Sequence, residues 1–396
     1  MHPMLRSWLH FALLLTGVLS STASRADDIE SAVKRAGELM GKSDFAGAVD
    51  VLKPYADAKN ADVDPLLADA MLLSAAASKK SEEAKAADSR AALAKAEECA
   101  ARGNGGCMNV LFSAWSLGTA GQKDWPKALD YLQKAVAAGD AGAKLNYAII
   151  LYRGAPQVEK DVDRACKYFR EVADGPGQVV ATYYLGVVLY RGQCGQPVNR
   201  EGGVELIQIA ADHALPEAER DIAKNYENGW TVKADLDRAF EWYEKSSAHG
   251  DGESSWRIGM AYVNGENRKP DSRRAVEYFE RAAHANYGPG KISLAVMYVT
   301  GDGVPLDYAK ARSLYEEAAA DGEPHAYREL SIMHANGEGT AVNLVEASVL
   351  YEQSVILGDD PNEALRASLE TKMSEEQRAE VARRIEQWQA GQAKKP

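Results

Sequence analysis

A short apolar pattern returns about every 36 residues along most of this chain. In one copy, Ala239 is followed three and four positions later by Trp242 and Tyr243, then by small residues, and finally by Gly250. Positions that lie three, four, seven and eight residues apart share one side of an α-helix. The pattern therefore predicts an amphipathic helix. Its first small residue recurs at a series of anchors, which are Ala92, Ala128, Ala165, Gly203, Ala239, Ala275, Ala311 and Ala347.

A second helical pattern begins about fifteen residues after most anchors. It places apolar or small residues at offsets 0, 4, 5 and 8, as in Gly290, Leu294, Ala295 and Tyr298, and a glycine at offset 11 that ends the helix. Each period thus predicts a pair of helices. In each hairpin the first helix carries the second pattern, and the second helix carries the anchor that follows it. One pair alone is too small to bury its apolar face. With a further anchor at Ala48, we predict an all-α chain, an α-solenoid of about nine stacked helical hairpins with a C-terminal capping helix.

Composition excludes several classes of function. The 396 residues include 46 basic and 58 acidic side chains, which gives a net charge of −12. A chain with this charge and no basic run is not predicted to bind nucleic acid, because binding requires cations that neutralise phosphates. The 46% content of hydrophobic residues is too high for a disordered chain.

Residues 1–26 are typical of a cleaved signal peptide. Arg6 precedes a short apolar stretch from Trp8 to Leu19, and Ser24-Arg25-Ala26 fits a small-x-small cleavage site. The stretch is shorter than the ~20 apolar residues of a membrane-spanning helix. It is not followed by a lipid-anchoring cysteine, since the first cysteine is Cys99. We therefore expect a soluble, exported protein, periplasmic or secreted, that does not insert into a membrane after cleavage.

Two segments resemble the repeats of the Sel1-like family. Residues 301–311, Gly-Asp-Gly-Val-Pro-Leu-Asp-Tyr-Ala-Lys-Ala, resemble its G-x-G-V-P-x-D-Y-x-K-A loop, and residues 238–250 resemble its K-A-x-x-W-Y-x-K-A-A-x-x-G helix. The resemblance extends over about residues 92–358. It implies a right-handed superhelix of helical hairpins, similar to tetratricopeptide arrays, that works by binding other proteins.

The repeats suggest a division of the chain. We assign the signal peptide to 1–26, N-terminal capping hairpins and a linker to 27–90, Sel1-like repeats to 91–360, C-terminal capping helices to 361–391 and a disordered tail to 392–396. The charged stretch from Lys79 to Asp88 is interpreted as a helix extension or a linker. A capping box at residues 374–377, Ser-Glu-Glu-Gln, predicts the start of the last helix.

The four cysteines form two candidate disulfides. The spacing of Cys99 and Cys107 resembles that of linked pairs in secreted, cysteine-rich members of the family, and export would favour this bond. Cys166 opens a second helix and Cys194 follows the next first helix, so both are expected at the same end of the stack, which allows a second bridge. Burial as small hydrophobic side chains is the alternative for the cysteines. A zinc site is disfavoured because neither pair has the usual close spacing.

The resemblance also implies that the first helix of each hairpin lines the concave side of the superhelix. Offsets 2, 6, 9 and 10, counted from the first residue of the second pattern, such as Gly290, then face a partner. They hold the aromatic, basic and thioether side chains that we predict to bind a protein or peptide, namely Tyr152, Arg153, Tyr183, Tyr190, Arg191, Trp256 and Met260. Such residue types dominate the binding energy of protein interfaces. The alternative is that some of them pack against neighbouring helices.

We find no catalytic, cofactor or metal motif in the sequence. Ser31-x-x-Lys34 fits the short serine–lysine motif of penicillin-recognising enzymes without its companion motifs, so a cell-wall or β-lactam-interacting enzyme is the alternative from another class. We predict a monomeric, non-enzymatic protein-interaction module. From the family resemblance we expect a periplasmic regulator or adaptor of envelope signalling or exopolysaccharide production, with a secreted factor that binds host proteins as the alternative.

Overall fold

The computed structural model describes residues 25–58, 60–119, 121–173 and 178–392. These residues are mostly helical, and none of them belongs to a named β-strand. The predicted signal peptide lies almost wholly outside the described residues, as does the predicted tail. In the described part of the chain, no helix is both long and apolar enough to cross a bilayer. The described residues fall into two compact units, one that ends at His213 and one that begins at Ala214.

The unit that ends at His213 consists of helical hairpins joined in series. Its second helices pack on the first helices before and after them along the chain. The first helices are α3 (Val63–Ala77), α5 (Gly105–Leu117), α7 (Ala141–Arg153) and α9 (Val179–Arg191), and the second helices are α4 (Glu82–Ala101), α6 (Trp125–Ala137), α8 (Val162–Ala173) and α10 (Arg200–Asp212). Before them come α1 (Arg25–Gly41), α2 (Phe45–Leu52) and a 3-10 helix (Lys53–Ala58).

The unit that begins at Ala214 repeats the same arrangement. Its first helices are α11 (Pro216–Asn228), α13 (Gly252–Asn264), α15 (Gly288–Thr300) and α17 (Pro324–Asn336), and its second helices are α12 (Leu236–Ala248), α14 (Ser272–His284), α16 (Tyr308–Ala320) and α18 (Leu344–Ile356). Two further helices follow, α19 (Glu363–Lys372) and α20 (Glu375–Gln392). The prediction of an all-α solenoid of stacked hairpins is confirmed.

The helix ends are set by local chemistry that the repeats share. Before α14, the carboxylate of Asp271 accepts a hydrogen bond from the backbone N–H of Arg274 at 3.1 Å, which satisfies a donor that the helix leaves unpaired. Gly301 ends α15 in the left-handed conformation, with φ of 72°. The anchors lie where helices meet, and Ala275 is fully buried beside Phe279. Small anchors therefore let the helices of a hairpin approach closely.

Both predicted disulfides are present. Cys99, in α4, is bonded to Cys107, in α5, with a Cα–Cα distance of 5.9 Å. Cys166, in α8, is bonded to Cys194, which follows α9, with a Cα–Cα distance of 6.1 Å. The first bond links two consecutive hairpins, and the second fastens the segment after α9 to α8.

The charged stretch from Lys79 to Asp88 divides between the two predicted alternatives. Lys79–Ser81 connect α3 to α4, and the rest belongs to α4, which begins at Glu82 with the Ser81 side chain as its cap. The capping box of the last helix is also formed. The Ser374 N–H donates to the Gln377 side chain at 2.9 Å, and the Gln377 N–H donates to the Ser374 hydroxyl at 3.2 Å. The proposed domain boundaries themselves remain predictions.

Glycine replaces alanine at one anchor because two backbones nearly touch there. A Cβ atom on Gly203 of α10 would lie 2.7 Å from the carbonyl oxygen of Gly186 in α9 and 2.7 Å from the Cβ of Tyr190. A Cβ atom on Gly186 would lie 2.8 Å from the carbonyl oxygen of Gly203. Neither position has room for a methyl group unless the helices separate.

Gly203→Ala is therefore expected to lower the free energy of unfolding by about 1–3 kcal/mol, the usual cost of an overpacked core. Gly41→Ala is the matched control, because Gly41 ends α1 in the same unit and a Cβ there would meet nothing within 4 Å. Thermal or denaturant unfolding of the two variants provides the comparison. An unchanged stability of Gly203→Ala would contradict the close approach.

Candidate partner-binding surface

Two arginines at helix ends each reach a tyrosine of the neighbouring first helix. Arg153 ends α7 and donates through Nη2 to the Tyr184 hydroxyl at 2.6 Å. Arg191 ends α9 and donates through Nη1 to the Tyr152 hydroxyl at 2.9 Å. The two tyrosine rings meet edge to face, with centroids 5.6 Å apart. We call these four residues the arginine–tyrosine cluster.

The two tyrosines of the cluster are buried, and the two arginines are accessible. Tyr152 is 7% exposed and Tyr184 is 6% exposed, whereas both arginines are exposed. The Tyr184 ring stacks on Phe169 of α8 at 4.9 Å, and the Tyr152 ring meets Phe169 edge-on at 6.3 Å. The packed rings therefore hold the hydroxyl groups to which the arginines bond. The predicted contact of Tyr152 with a partner remains untested, and its burial suits it to supporting Arg191.

The other two predicted tyrosines of this unit lie in different surroundings. Tyr183 is half-buried, and its ring centroid is 5.3 Å from that of Tyr184, so it borders the arginine–tyrosine cluster. Tyr190 is also half-buried but lies against α10, where the guanidinium carbon of Arg200 is 5.8 Å from its ring centroid. The structure thus brings Tyr183 to the cluster and places Tyr190 at the α9–α10 contact.

In the second unit, Trp256 and Met260 begin an apolar line along α13. The Trp256 Nε1 donates to the Ser293 hydroxyl of α15 at 3.0 Å, and its ring centroid is 6.0 Å from that of Tyr287. Met260 is half-buried one turn later, and Val263 is 42% exposed after that. Spacings of four and seven residues put the three side chains on one side of the helix.

The same line continues on the adjacent first helix. Ile292, Val296 and Val299 occupy the equivalent positions of α15, and Val296 is 40% exposed. Because α13 and α15 are in contact, the two lines form one surface. We call it the apolar stripe, composed of Trp256, Met260, Val263, Ile292, Val296 and Val299.

Charged side chains replace the apolar ones at the equivalent positions of α11, where the neighbouring repeat neutralises them. Arg220 pairs with Asp251, and Lys224 Nζ lies 2.6 Å from a carboxylate oxygen of Glu253. Glu227 pairs with Arg257 of α13. In α17, Arg328 lies 2.9 Å from Asp359. These positions join one repeat to the next, a role that sequence reasoning missed when it grouped them by offset.

One of these carboxylates also holds a buried tyrosine. The Tyr243 hydroxyl donates to Glu227 at 2.5 Å, and Tyr243 is 2% exposed. Burial and the negative charge of Glu227 both raise the pKa of Tyr243 above its ordinary value. The phenol therefore stays protonated and acts as a hydrogen-bond donor between α11 and α12.

Other candidate chemistry is sparse. A cleft of about 700 Å³ opens between the loop after α7 and the Cys194 segment, lined by Tyr147, Arg164 and several charged loop residues. Among the described residues, no three His, Cys, Asp or Glu side chains are grouped as a metal site. Ser31 and Lys34 of the serine–lysine motif are both exposed on α1.

Several solved structures are similar to this chain. A Sel1 repeat protein from Oxalobacter formigenes is 26% identical with a TM-score of 0.53, and the match covers 64% of this chain and 99% of that protein. A protective antigen of uropathogenic Escherichia coli with an SLR fold is 17% identical with a TM-score of 0.39, and the match covers 94% of this chain and 87% of the antigen. An immunity protein of Pseudomonas aeruginosa, Pa5087, is 18% identical with a TM-score of 0.41, over 53% and 81% of the two chains. No protein of curated function matches the sequence significantly.

A family model described as Sel1 repeat matches the sequence in seven consecutive segments. They are residues 116–140, 141–175, 179–215, 216–251, 252–287, 290–323 and 324–359, which together make up more than half of the chain. The first segment covers α6, and the other six coincide with the hairpins from α7–α8 to α17–α18. The resemblance first noted in the loop at 301–311 is confirmed. The chain therefore belongs to the Sel1 repeat family.

Proposed function

We propose that this chain is an exported, non-catalytic module that binds a partner protein through the exposed sides of its first helices. The apolar stripe carries the proposal. Val263 and Val296 are exposed, and the other four side chains of the stripe are partly buried against the core. Apolar patches at a surface mark interaction sites in many proteins, and Trp and Met are frequent at interfaces. Membership of a family of protein-interaction repeats supports it, although the site rather than the fold must specify the partner.

The proposed setting is the periplasm or the cell exterior. Two disulfides favour an oxidising compartment, because reducing compartments keep thiols unpaired. In this setting we propose a regulator or adaptor of envelope signalling or exopolysaccharide production. The residues proposed to contact the partner are Tyr183, Tyr190, Arg153 and Arg191 in one unit and Trp256 and Met260 in the other, with Tyr152 as a support.

Charge placed on the stripe should weaken partner binding. We expect Val263→Asp combined with Val296→Asp to reduce recovery of a crosslinked partner from an envelope extract by about tenfold or more, because two carboxylates would have to be desolvated in the interface. Both residues are substantially exposed, so the thermal midpoint should change little. Crosslinking with the purified chain, followed by mass spectrometry, measures the recovery.

Leu306→Asp combined with Val342→Asp is the matched control. These residues are 54% and 61% exposed, lie in loops of the same unit, and add the same charge outside the stripe. The control should recover the partner as the unmodified chain does. The proposal is wrong if no partner is recovered reproducibly, or if the stripe variant and the control recover it equally.

A further inference from the structure

Arg153 and Arg191 carry charges that the described part of the chain does not neutralise. The hydrogen-bond partner of each guanidinium is a tyrosine hydroxyl, which is a neutral acceptor. None of the ion pairs among the described residues includes Arg153 or Arg191, and both side chains are exposed. Two positive charges thus stand at the surface of a chain whose net charge is −12.

In the other unit, carboxylates neutralise arginines of the first helices. Arg220 pairs with Asp251, Arg257 with Glu227 and Arg328 with Asp359, so each guanidinium has a carboxylate from a neighbouring repeat. Between α7 and α9, Arg153 and Arg191 instead reach tyrosine hydroxyls of the neighbouring first helix. The contact between repeats is preserved there, but the positive charge is left uncompensated.

The packing also fixes where the two guanidinium groups lie. Tyr184 is stacked on Phe169, and Tyr152 is packed against both rings, so the hydroxyl acceptors belong to the core. A guanidinium has five N–H donors, and one hydrogen bond to a tyrosine leaves others for a ligand. Because the tyrosines already orient the arginines, a ligand loses less side-chain entropy when it binds them.

We propose that Arg153 and Arg191 form a receptor for carboxylate side chains, and that the partner docks an acidic segment on the arginine–tyrosine cluster. The inference rests on the proposed function and specifies the chemistry of the partner. Guanidinium groups match carboxylates in shape and charge, and such charge-assisted bonds are stronger than neutral ones. A long polyanion such as nucleic acid fits less well, because the acidic chain as a whole would repel it.

A peptide rich in Glu, and its counterpart with every Glu replaced by Gln, test the receptor. Binding of each labelled peptide to the full chain is measured by fluorescence anisotropy at low and at physiological salt. The unmodified chain should bind the Glu peptide about tenfold or more tightly than the Gln peptide, with a difference that shrinks as salt rises. Arg153→Gln combined with Arg191→Gln should remove this preference.

Two further variants separate the receptor from general charge and from folding. Arg90→Gln combined with Arg170→Gln removes the same charge from exposed arginines of the same unit and should keep the preference. Arg153→Lys combined with Arg191→Lys retains both charges and should bind the Glu peptide with intermediate affinity. Melting curves verify that each variant is folded.

The inference is overturned if the unmodified chain binds neither peptide, binds both equally, or keeps its preference in the Arg153→Gln, Arg191→Gln variant. Each of these outcomes leaves partner capture through the apolar stripe unaffected. Conversely, failure of partner capture with retained Glu preference would refute the proposed function alone.

Discussion

Replacing Phe279 with alanine is expected to lower the free energy of unfolding by about 3–5 kcal/mol, the largest loss that we predict for a single substitution. Phe279 is 1% exposed in α14 and lies in the core cluster that joins α12, α13 and α14. Its ring fills the space beside Gly259, where an added Cβ would clash with the ring carbons. Alanine would leave a cavity that these closely packed helices cannot close.

Tyr278→Ala is the matched control, because it removes an aromatic ring from the preceding position of the same helix. Tyr278 is half-buried, stacked on Tyr262 at 5.9 Å and covered by Arg281. Its removal should cost about 1–2 kcal/mol, since water can fill the space. Denaturant unfolding followed by circular dichroism compares the two variants. Equal losses of stability in the two variants would contradict the prediction that the more deeply buried ring contributes more.

The two disulfides should differ in their contribution to stability. Cys166 and Cys194 are 28 residues apart, whereas Cys99 and Cys107 are 8 residues apart. A longer loop removes more entropy from the unfolded chain when it is closed, which gives about 3.5 kcal/mol for Cys166–Cys194 and about 2.5 kcal/mol for Cys99–Cys107. Replacing both Cys166 and Cys194 by alanine is therefore expected to cost about 1 kcal/mol more than the same change at Cys99 and Cys107.

Unfolding of the two paired variants under oxidising conditions measures this difference. Alanine is the suitable replacement because Cys99, Cys107 and Cys166 are buried, and serine would bury a hydroxyl group. Adding a reductant to the unmodified chain should reproduce the combined loss. A larger cost for the pair with the shorter loop would contradict the entropic account.

The sequence was a good guide wherever one residue type repeated at a fixed spacing. Ala275 and its equivalents predicted the helix contacts, because a small side chain at a helix crossing is a local requirement. The capping box at Ser374 was predicted for the same reason, since it depends on residues only three apart. The need for glycine at position 203 was not predicted, because its close contact is with Gly186 of another helix.

The candidate surface was predicted less completely. Offsets 2 and 10 of the first helices were both predicted to face a partner, but the structure pairs Arg220, at offset 2 of α11, with Asp251, whereas Arg191, at offset 10 of α9, bonds the hydroxyl of Tyr152. A signal for the ion pairs was present, since Arg220 and Arg328 each precede their acidic partner by 31 residues. This separation is slightly shorter than one repeat, so it connects adjacent hairpins.

By itself, the sequence determined the helical pairs and the membership of a repeat family, and it predicted their stacking, because one pair cannot bury its periodic apolar face without its neighbours. The tertiary structure alone decided which polar side chains on the first helices are neutralised and which remain open to a partner. That outcome depends on how closely neighbouring helices approach and on which long side chains then come within hydrogen-bonding distance. Tyr152 shows the difference, because it follows the predicted helix yet is buried beneath the arginine that it orients.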